Sequence, residues 1–382
     1  MSGKLSERKE MQIRICRKKM EYRFEDILEI RNGKNQKAVE NPEGRYPIYG
    51  SGGVIGYADD YICEADTIII GRKGSINNPI YVSEPFWNVD TAFGLSVKKD
   101  FVLPKYLYYF CKKFDFGKLN KTVTIPSLTK SDLLKIKINV PVKEEQQAII
   151  DKLMKIESIM AFRKIELDYL DALIKARFVE MFGDPITNPK EWKMVELGKL
   201  TTIGSSKRIF EKEYVSEGIP FYRTKEIVEL SKGNSISTEL FITKERFFEI
   251  KDKYGVPKKG DLLVSAVGTI GVIWIVDGSN DFYFKDGNLI RVDASEKFDS
   301  VYMKNLLENL IDDYKKQMST GTTYNALTIS GLTKLKVYDV PIELQNLFSE
   351  FVNQVYKSKV TVQKALEETQ ILFDSLMQKY FG

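Results

Sequence analysis

Apolar residues recur at heptad spacing in two long stretches of the chain. Between 144 and 182 one track runs through Leu153, Met160, Leu167, Ile174 and Met181, and the other through Ile149, Ile156 and Leu170, broken by Arg163 and Arg177. The stretch holds no proline and no glycine. Moving 199 residues on, Val352, Leu366, Phe373 and Tyr380 run beside Phe348, Val355, Val362 and Leu376, with Lys359 and Thr369 as exceptions. Such a pattern predicts two long helices, each spanning roughly 55–60 Å at 1.5 Å rise per residue. An apolar stripe of that length needs a partner. The simplest partner is the other helix, so the spacing predicts a coiled coil with Leu153, Ile156, Leu167, Ile174, Val352, Val355, Leu366 and Phe373 in its seam. A two-fold relation between the repeats would make it antiparallel. Phe182-Gly183-Asp184-Pro185 and Phe381-Gly382 end the helices, since glycine suits a left-handed cap and proline cannot continue the helix.

The same offset governs more than the helices. Residues 127–138 read SLTKSDLLKIKI and residues 326–337 read ALTISGLTKLKV. Leu128, Thr129, Ser131, Leu133, Lys135 and Lys137 fall on Leu327, Thr328, Ser330, Leu332, Lys334 and Lys336, each 199 residues later. Val140-Pro141 matches Val340-Pro341 after one inserted residue, and Gln146 then falls on Gln345. A fainter echo relates Ala65–Ile76 to Gly260–Ile270. A period of this size marks a duplicated domain rather than a solenoid. Each unit has a constant tail and a variable body.

Within the bodies, short apolar runs set off by glycine predict strands at Thr67–Ile70, Ile80–Val82, Phe93–Val97 and Ile136–Val140. The second body shows them at Phe221–Tyr222, Asp261–Val264, Val272–Val276 and Leu289–Val292. Lys105–Lys113 and Val301–Lys316 read as helices. Each body is therefore expected to be α+β. The division expected is an extension at 1–20, a first body at 21–143, a first helix at 144–183, a linker and second body at 184–342, and a second helix at 343–382.

Composition narrows the chemistry. The chain has 382 residues and no histidine, which removes the commonest general base and most zinc sites. Cys16, Cys63 and Cys111 are too scattered for a metal motif or a disulfide framework. No run approaches the ~20 apolar residues of a membrane span, and the charged first twenty residues do not read as a secretion signal. A cytoplasmic protein without membrane partners is expected. The phosphate-loop motif is missing. Gly50-x-Gly52 departs from the dinucleotide fingerprint at Ile55, and Asn78-Pro79-Ile80 lacks the second proline and aromatic of an adenine methyltransferase motif. A single Glu249-Ile250-Lys251 is weak as a nuclease signature. No catalytic residue, metal ligand or cofactor bound by this chain is expected.

Net charge is +5, a mild basic bias compatible with a polyanionic partner. Groove-reading residues are sought among basic and polar side chains on turns, because arginine can pair with guanine and asparagine with adenine. In the first body these are Arg72, Lys73, Ser75 and Asn77, with Lys121 and Thr122 just before the constant segment. In the second they are Lys207, Arg208, Tyr222, Arg223 and Lys225, with Thr322 and Tyr324 as the counterparts of the segment near 121.

The run from Tyr46 to Leu95 (YPIYGSGGVIGYADDYICEADTIIIGRKGSINNPIYVSEPFWNVDTAFGL) resembles a target recognition domain of the type I restriction–modification specificity subunits. A variable body followed by a constant long helix, twice over, is similar to that family's layout from about residue 21 onward. The resemblance implies two globular target recognition domains joined by two helices in an antiparallel coiled coil, a pseudo-two-fold internal repeat. It implies that each domain reads one half of an asymmetric, split site in double-stranded DNA while the helices set the unread spacer. It further implies two docked modification subunits, which bring S-adenosylmethionine, and restriction subunits, which bring ATP and Mg. The subunit itself would be non-catalytic. The competing expectation is a coiled-coil scaffold that does not bind DNA.

Overall fold

The computed structural model describes residues 20–98, 100–120, 126–318 and 326–382. The chain divides into two compact units. The first comprises the chain up to Ile165 together with Gln363–Gly382, and the second comprises Glu166–Val362.

The first unit opens with strand β1 (Met20–Arg23), a one-turn helix α1 (Phe24–Ile27) and β2 (Leu28–Asn32). Then come β3 (Tyr46–Gly50), β4 (Gly53–Ala58), β5 (Thr67–Gly71), β6 (Ile80–Val82), β7 (Trp87–Asn88) and β8 (Ala92–Val97). Helix α2 (Pro104–Lys113), helix α3 (Lys130–Leu134) and β9 (Lys137–Val140) complete the body. One sheet has the order β2-β8-β5-β6, a second β4-β3-β7, and β1 pairs with β9. Strand β5 reads TIIIG and is buried at every position, as a continuous apolar run demands of a central strand. It pairs antiparallel with both neighbours, Ile68 lying opposite Leu95 and Tyr81. Helix α2 starts on Pro104, where a missing N–H costs nothing, and buries Tyr106, Leu107, Tyr109, Phe110 and Cys111.

The second unit repeats this plan. Its strands are β10 (Met194–Glu196), β11 (Ile203–Gly204), β12 (Ile219–Tyr222), β13 (Phe241–Ile242), β14 (Leu262–Ser265), β15 (Ile273–Ile275), β16 (Tyr283–Phe284), β17 (Leu289–Val292) and β18 (Lys336–Tyr338). The sheets are β11-β17-β14-β15, β13-β12-β16 and β10-β18, strand for strand the topology of the first unit. Even the parallel pair recurs, β3 with β7 and β12 with β16, inside otherwise antiparallel sheets. Helices α7 (Ser300–Met318) and α8 (Ile329–Lys334) stand where α2 and α3 do. Thr129 and Thr328 cap α3 and α8, each hydroxyl accepting a backbone N–H three residues on. The second unit adds α5 (Thr224–Ser231) and α6 (Lys244–Tyr254), which the sequence reading did not expect.

The two tails are 40-residue helices, α4 (Lys143–Phe182) and α9 (Ile342–Phe381). In the second unit they run antiparallel. Phe178 meets Phe348 with ring centroids 5.5 Å apart, and Asp171, one helical stretch earlier, meets Lys359, one stretch later, at 2.5 Å. In the first unit Arg163 donates to the Ala365 carbonyl and to the Thr369 hydroxyl.

At its ends the predicted seam is shared with the globular cores. Leu153, Ile156 and Phe373 sink into the core of the first unit, and Ile174, Val352 and Val355 into that of the second. Leu167 and Leu366 stay half-buried. The ends of each stripe thus lie with residues of the other helix inside a core that the globular body also lines. Among the described residues no helix is long and apolar enough to cross a membrane.

Candidate nucleic-acid interface

The turn from β5 to β6 is fixed by its backbone, which leaves its side chains free to point outward. Arg72 donates its N–H to the Thr91 carbonyl at 2.7 Å and accepts from Leu128 at 2.9 Å, and Gly74 donates to Pro126 at 3.1 Å. Lys73 and Ser127 form an isolated antiparallel bridge. Gly74 sits at φ +78°, which glycine takes at no steric cost. Arg72, Lys73 and Ser75 are exposed. The Arg72 guanidinium lies 5.8 Å from the Phe93 ring, a cation–π contact made by a side chain that remains exposed. Two exposed cations on a rigid turn form a surface suited to a polyanion.

Asn77 belongs to a different device. Its side-chain amide donates to Asp115 at 3.0 Å, and its oxygen accepts the Phe116 N–H at 2.7 Å. It clamps the β5–β6 connection to the 3-10 turn Phe116–Leu119, so its amide, expected to read adenine, is engaged within the chain. Lys121, Thr122, Thr322 and Tyr324 lie outside the described residues.

The second unit keeps the turn's backbone and changes its chemistry. Ala266 donates to Asn288 at 2.8 Å and accepts from Leu327 at 3.0 Å, the pattern Arg72 makes with Thr91 and Leu128. The exposed pair Arg72-Lys73 is therefore replaced by Ala266-Val267, of which Ala266 is buried.

The predicted clusters of the second body divide. Tyr222 is a core residue, 6% exposed, with its ring 4.6 Å from Phe282 in a stacked pair. A ring committed in this way is not available to a groove. Arg223 grips Glu226, with Nη2 at 2.8 Å and Nε at 3.3 Å from its carboxylate. Burial acts to raise the Glu226 pKa, but hydrogen bonds from the Arg223 side chain and backbone prevail and hold it below the ordinary carboxylate range. The Arg223 guanidinium is raised in turn, chiefly by its hydrogen bond to Glu226. Arg223 is thus half of an internal ion pair that caps the start of α5. Arg208 is exposed but paired with Asp286 at 2.7 Å. Lys225 is exposed. Lys207 is exposed and lies 5.4 Å from the Tyr254 ring at the end of α6.

Helix α6 carries a signal the sequence reading passed over. KERFFEIKDKY interleaves lysines with aromatics, and Phe248 and Tyr254 are both half exposed. Lys251 lies 5.8 Å from the Phe248 ring. Exposed rings beside cations make a surface able to meet phosphates and stacked bases together.

No catalytic grouping accompanies these surfaces among the described residues. No group of three or more acidic, cysteine or histidine side chains could hold a metal ion. Glu249 of the Glu-x-Lys motif is held by Arg246 at 2.8 Å. Cys63 and Cys111 are buried, and burial pushes the Cys63 thiol up to about 12, far from a reactive thiolate.

A family model described as the type I restriction modification DNA specificity domain matches residues 17–169 and again 189–370. A Haemophilus influenzae protein assigned as type I restriction enzyme specificity subunit S.HindORF215P is 28% identical over 334 residues, covering 85% of this chain and 84% of its own. The MjaIX specificity subunit of Methanocaldococcus jannaschii is 25% identical over 339 residues, covering 81% and 74%. Among solved structures, an S subunit from M. genitalium superposes with a TM-score of 0.59 at 17% identity, covering 96% of each chain. A chain from a structural study of type I assembly and conformational transition gives 0.61 at 15%, covering 95% of this chain and 97% of that one. These superpositions show the shared fold.

Proposed function

This chain belongs to the type I restriction–modification DNA specificity family and serves DNA sequence recognition in such a system, and from that premise we propose that its two units read the two different halves of one split, asymmetric site. The carrying observation is the pair of matched turns, Arg72-Lys73 in one unit and Ala266-Val267 in the other, set on the same backbone hydrogen bonds. One scaffold presenting two chemistries favours two unlike half-sites over a palindrome. Roughly 55–60 Å of helix exceeds one DNA turn of ~34–36 Å, a length that suits an unread spacer between the halves.

The chain itself is proposed to be non-catalytic. Modification subunits docked on the helices supply adenine methylation with S-adenosylmethionine, and restriction subunits supply cleavage with ATP and Mg. The buried, protonated Cys63 and the engaged Glu249 support this division of labour.

The test is DNA binding by the chain co-expressed with its modification subunits, measured over a range of salt. Phosphate contacts make affinity fall steeply as salt rises. Mapping methylated adenines in a host carrying the system returns both half-sites and the spacer. A palindromic or contiguous site, or binding indifferent to salt, overturns the reading.

A further inference from the structure

Next to the Arg72-Lys73 turn stands a hairpin with glycine and aliphatic residues exposed at its tip. Strands β3 and β4 meet at a tip, Gly50-Ser51-Gly52-Gly53, with Gly50 opposite Gly53. A Cβ placed on Gly71 would lie 2.4 Å from the Ser75 carbonyl, so the turn itself requires glycine there, and 3.1 Å from the Ser51 Cβ, so the tip stands close against the base of the turn. The glycines of the tip and the turn differ in kind. Gly53 at φ +131° and Gly74 at φ +78° are required by their backbone conformation. Gly52 is not. A Cβ there would meet nothing within 4 Å, and its backbone is open to any residue. Just beyond the tip Val54 and Ile55 are exposed, at 50% and 58%, on the edge strand of their sheet.

An exposed glycine, two exposed aliphatic side chains and two exposed cations on an adjoining turn describe a surface complementary to duplex DNA. Cations meet phosphate, a glycine lets a sugar–phosphate strand come close, and aliphatic carbons meet the methyl edge of thymine. We propose that the 51–55 hairpin tip is a second DNA-contacting element of the first unit, with Gly52 admitting the DNA backbone and Val54 and Ile55 reading apolar base edges. This rests on the DNA-recognition reading above and adds to it residues that specify the first half-site. The second unit has no such tip. There the chain leaves β12 directly into α5 before returning as β13, so the same place in the plan is built differently.

The experiment uses the full chain assembled with its modification subunits and a duplex carrying the site found by methylation mapping. Gly52→Val adds bulk where nothing stands in the way, and Ile55→Ser removes an exposed aliphatic group. Both are expected to melt at the temperature of the parent. Each is expected to weaken specific binding between about fivefold and a hundredfold. The loss is expected to be confined to the first half-site. Changing that half-site then costs the variants less than it costs the parent, while changing the second half-site costs both the same. Parent-like affinity in both variants, or a loss that leaves first-half-site discrimination intact, overturns the proposal. A parent complex that binds DNA without salt dependence overturns the function reading itself and this inference with it.

Discussion

Tyr106 packs its ring 5.0 Å from Phe381, the last residue of the second long helix, and so takes the end of one repeat into the core begun by the other. The counterpart pair is Tyr302 and Phe182, 4.8 Å apart in the second unit. Phe182 and Phe381 are themselves 199 residues apart. Each body is therefore closed by the helix terminus of the opposite repeat. Phe373 and Met377 join the first core together with Ile149 and Leu153, and Phe178 joins the second with Phe348 and Val352.

That exchange predicts the behaviour of half a chain. A fragment of residues 20–183 keeps its body and its helix but lacks the residues that close Tyr106. Its own Phe182 is the matching group, so two fragments are expected to close each other. Light scattering should report a dimer, and the dimer should come apart on Phe182→Ala, which removes a fully buried ring worth about 3–5 kcal/mol. A stable monomeric fragment would show that the exchange is dispensable.

Gln146 and Gln345 lock the start of each long helix to its body. Buried Gln146 donates to the Phe101 and Pro141 carbonyls at 2.7 and 2.8 Å and accepts the Leu103 N–H at 2.8 Å. Gln345 donates to Val340 at 2.8 Å and accepts from Asp299 at 2.9 Å. Leucine at either position strands buried backbone groups, at about 1–3 kcal/mol for each one left unpaired. Gln146→Leu should lower the urea midpoint more than Gln345→Leu, since it loses one bond more. The reverse order would mean that the bond count does not set the cost.

Arg72→Ala should leave stability unchanged, because the turn is held by backbone bonds and not by its side chain. Discrimination at the first half-site should weaken by about 1–3 kcal/mol, with the second untouched. Competition binding with duplexes altered in one half at a time reads this out. An equal loss on all sequences would assign Arg72 to a phosphate.

Glu226 predicts an acid limb in stability. Its folded pKa lies below the ordinary value, so it stabilises the fold above that ordinary value of about 4.3 and loses this contribution as pH falls through its folded value. Glu226→Gln should flatten the fall of melting temperature below about pH 4.5 and lower the melting temperature at neutral pH. An unchanged acid limb would show that the Arg223 pair is energetically silent.

Much of the plan was legible in the chain itself. The heptads announced α4 and α9, the 199-residue offset announced the duplication, and apolar runs located β5, β6, β14 and β17 to within a residue or two. These features are local: periodicity records which positions leave water, and a duplicated segment keeps its spacing. What leaves water against what is not local. The seam residues were read as partners of one another, and they do share clusters, but at the ends of the helices those clusters are also the cores of the bodies. Tyr222 and Asn77 looked like groove readers because tyrosine and asparagine are equally at home on a surface turn and in a packed or hydrogen-bonded interior. Only the fold brings Phe282 onto Tyr222 and Asp115 onto Asn77. Helix α5 escaped notice because it has only eight residues, and α6 because charged residues fill most of its KERFFEIKDKY sequence. The sequence by itself determined that there are two like units and two long helices, because those are statements about order along the chain. Tertiary structure decided that each unit borrows its last aromatic from the other repeat and that matching turns carry Arg72 on one side and Ala266 on the other. Those depend on which segments meet in space, and contacts between segments hundreds of residues apart leave no period in the chain that makes them.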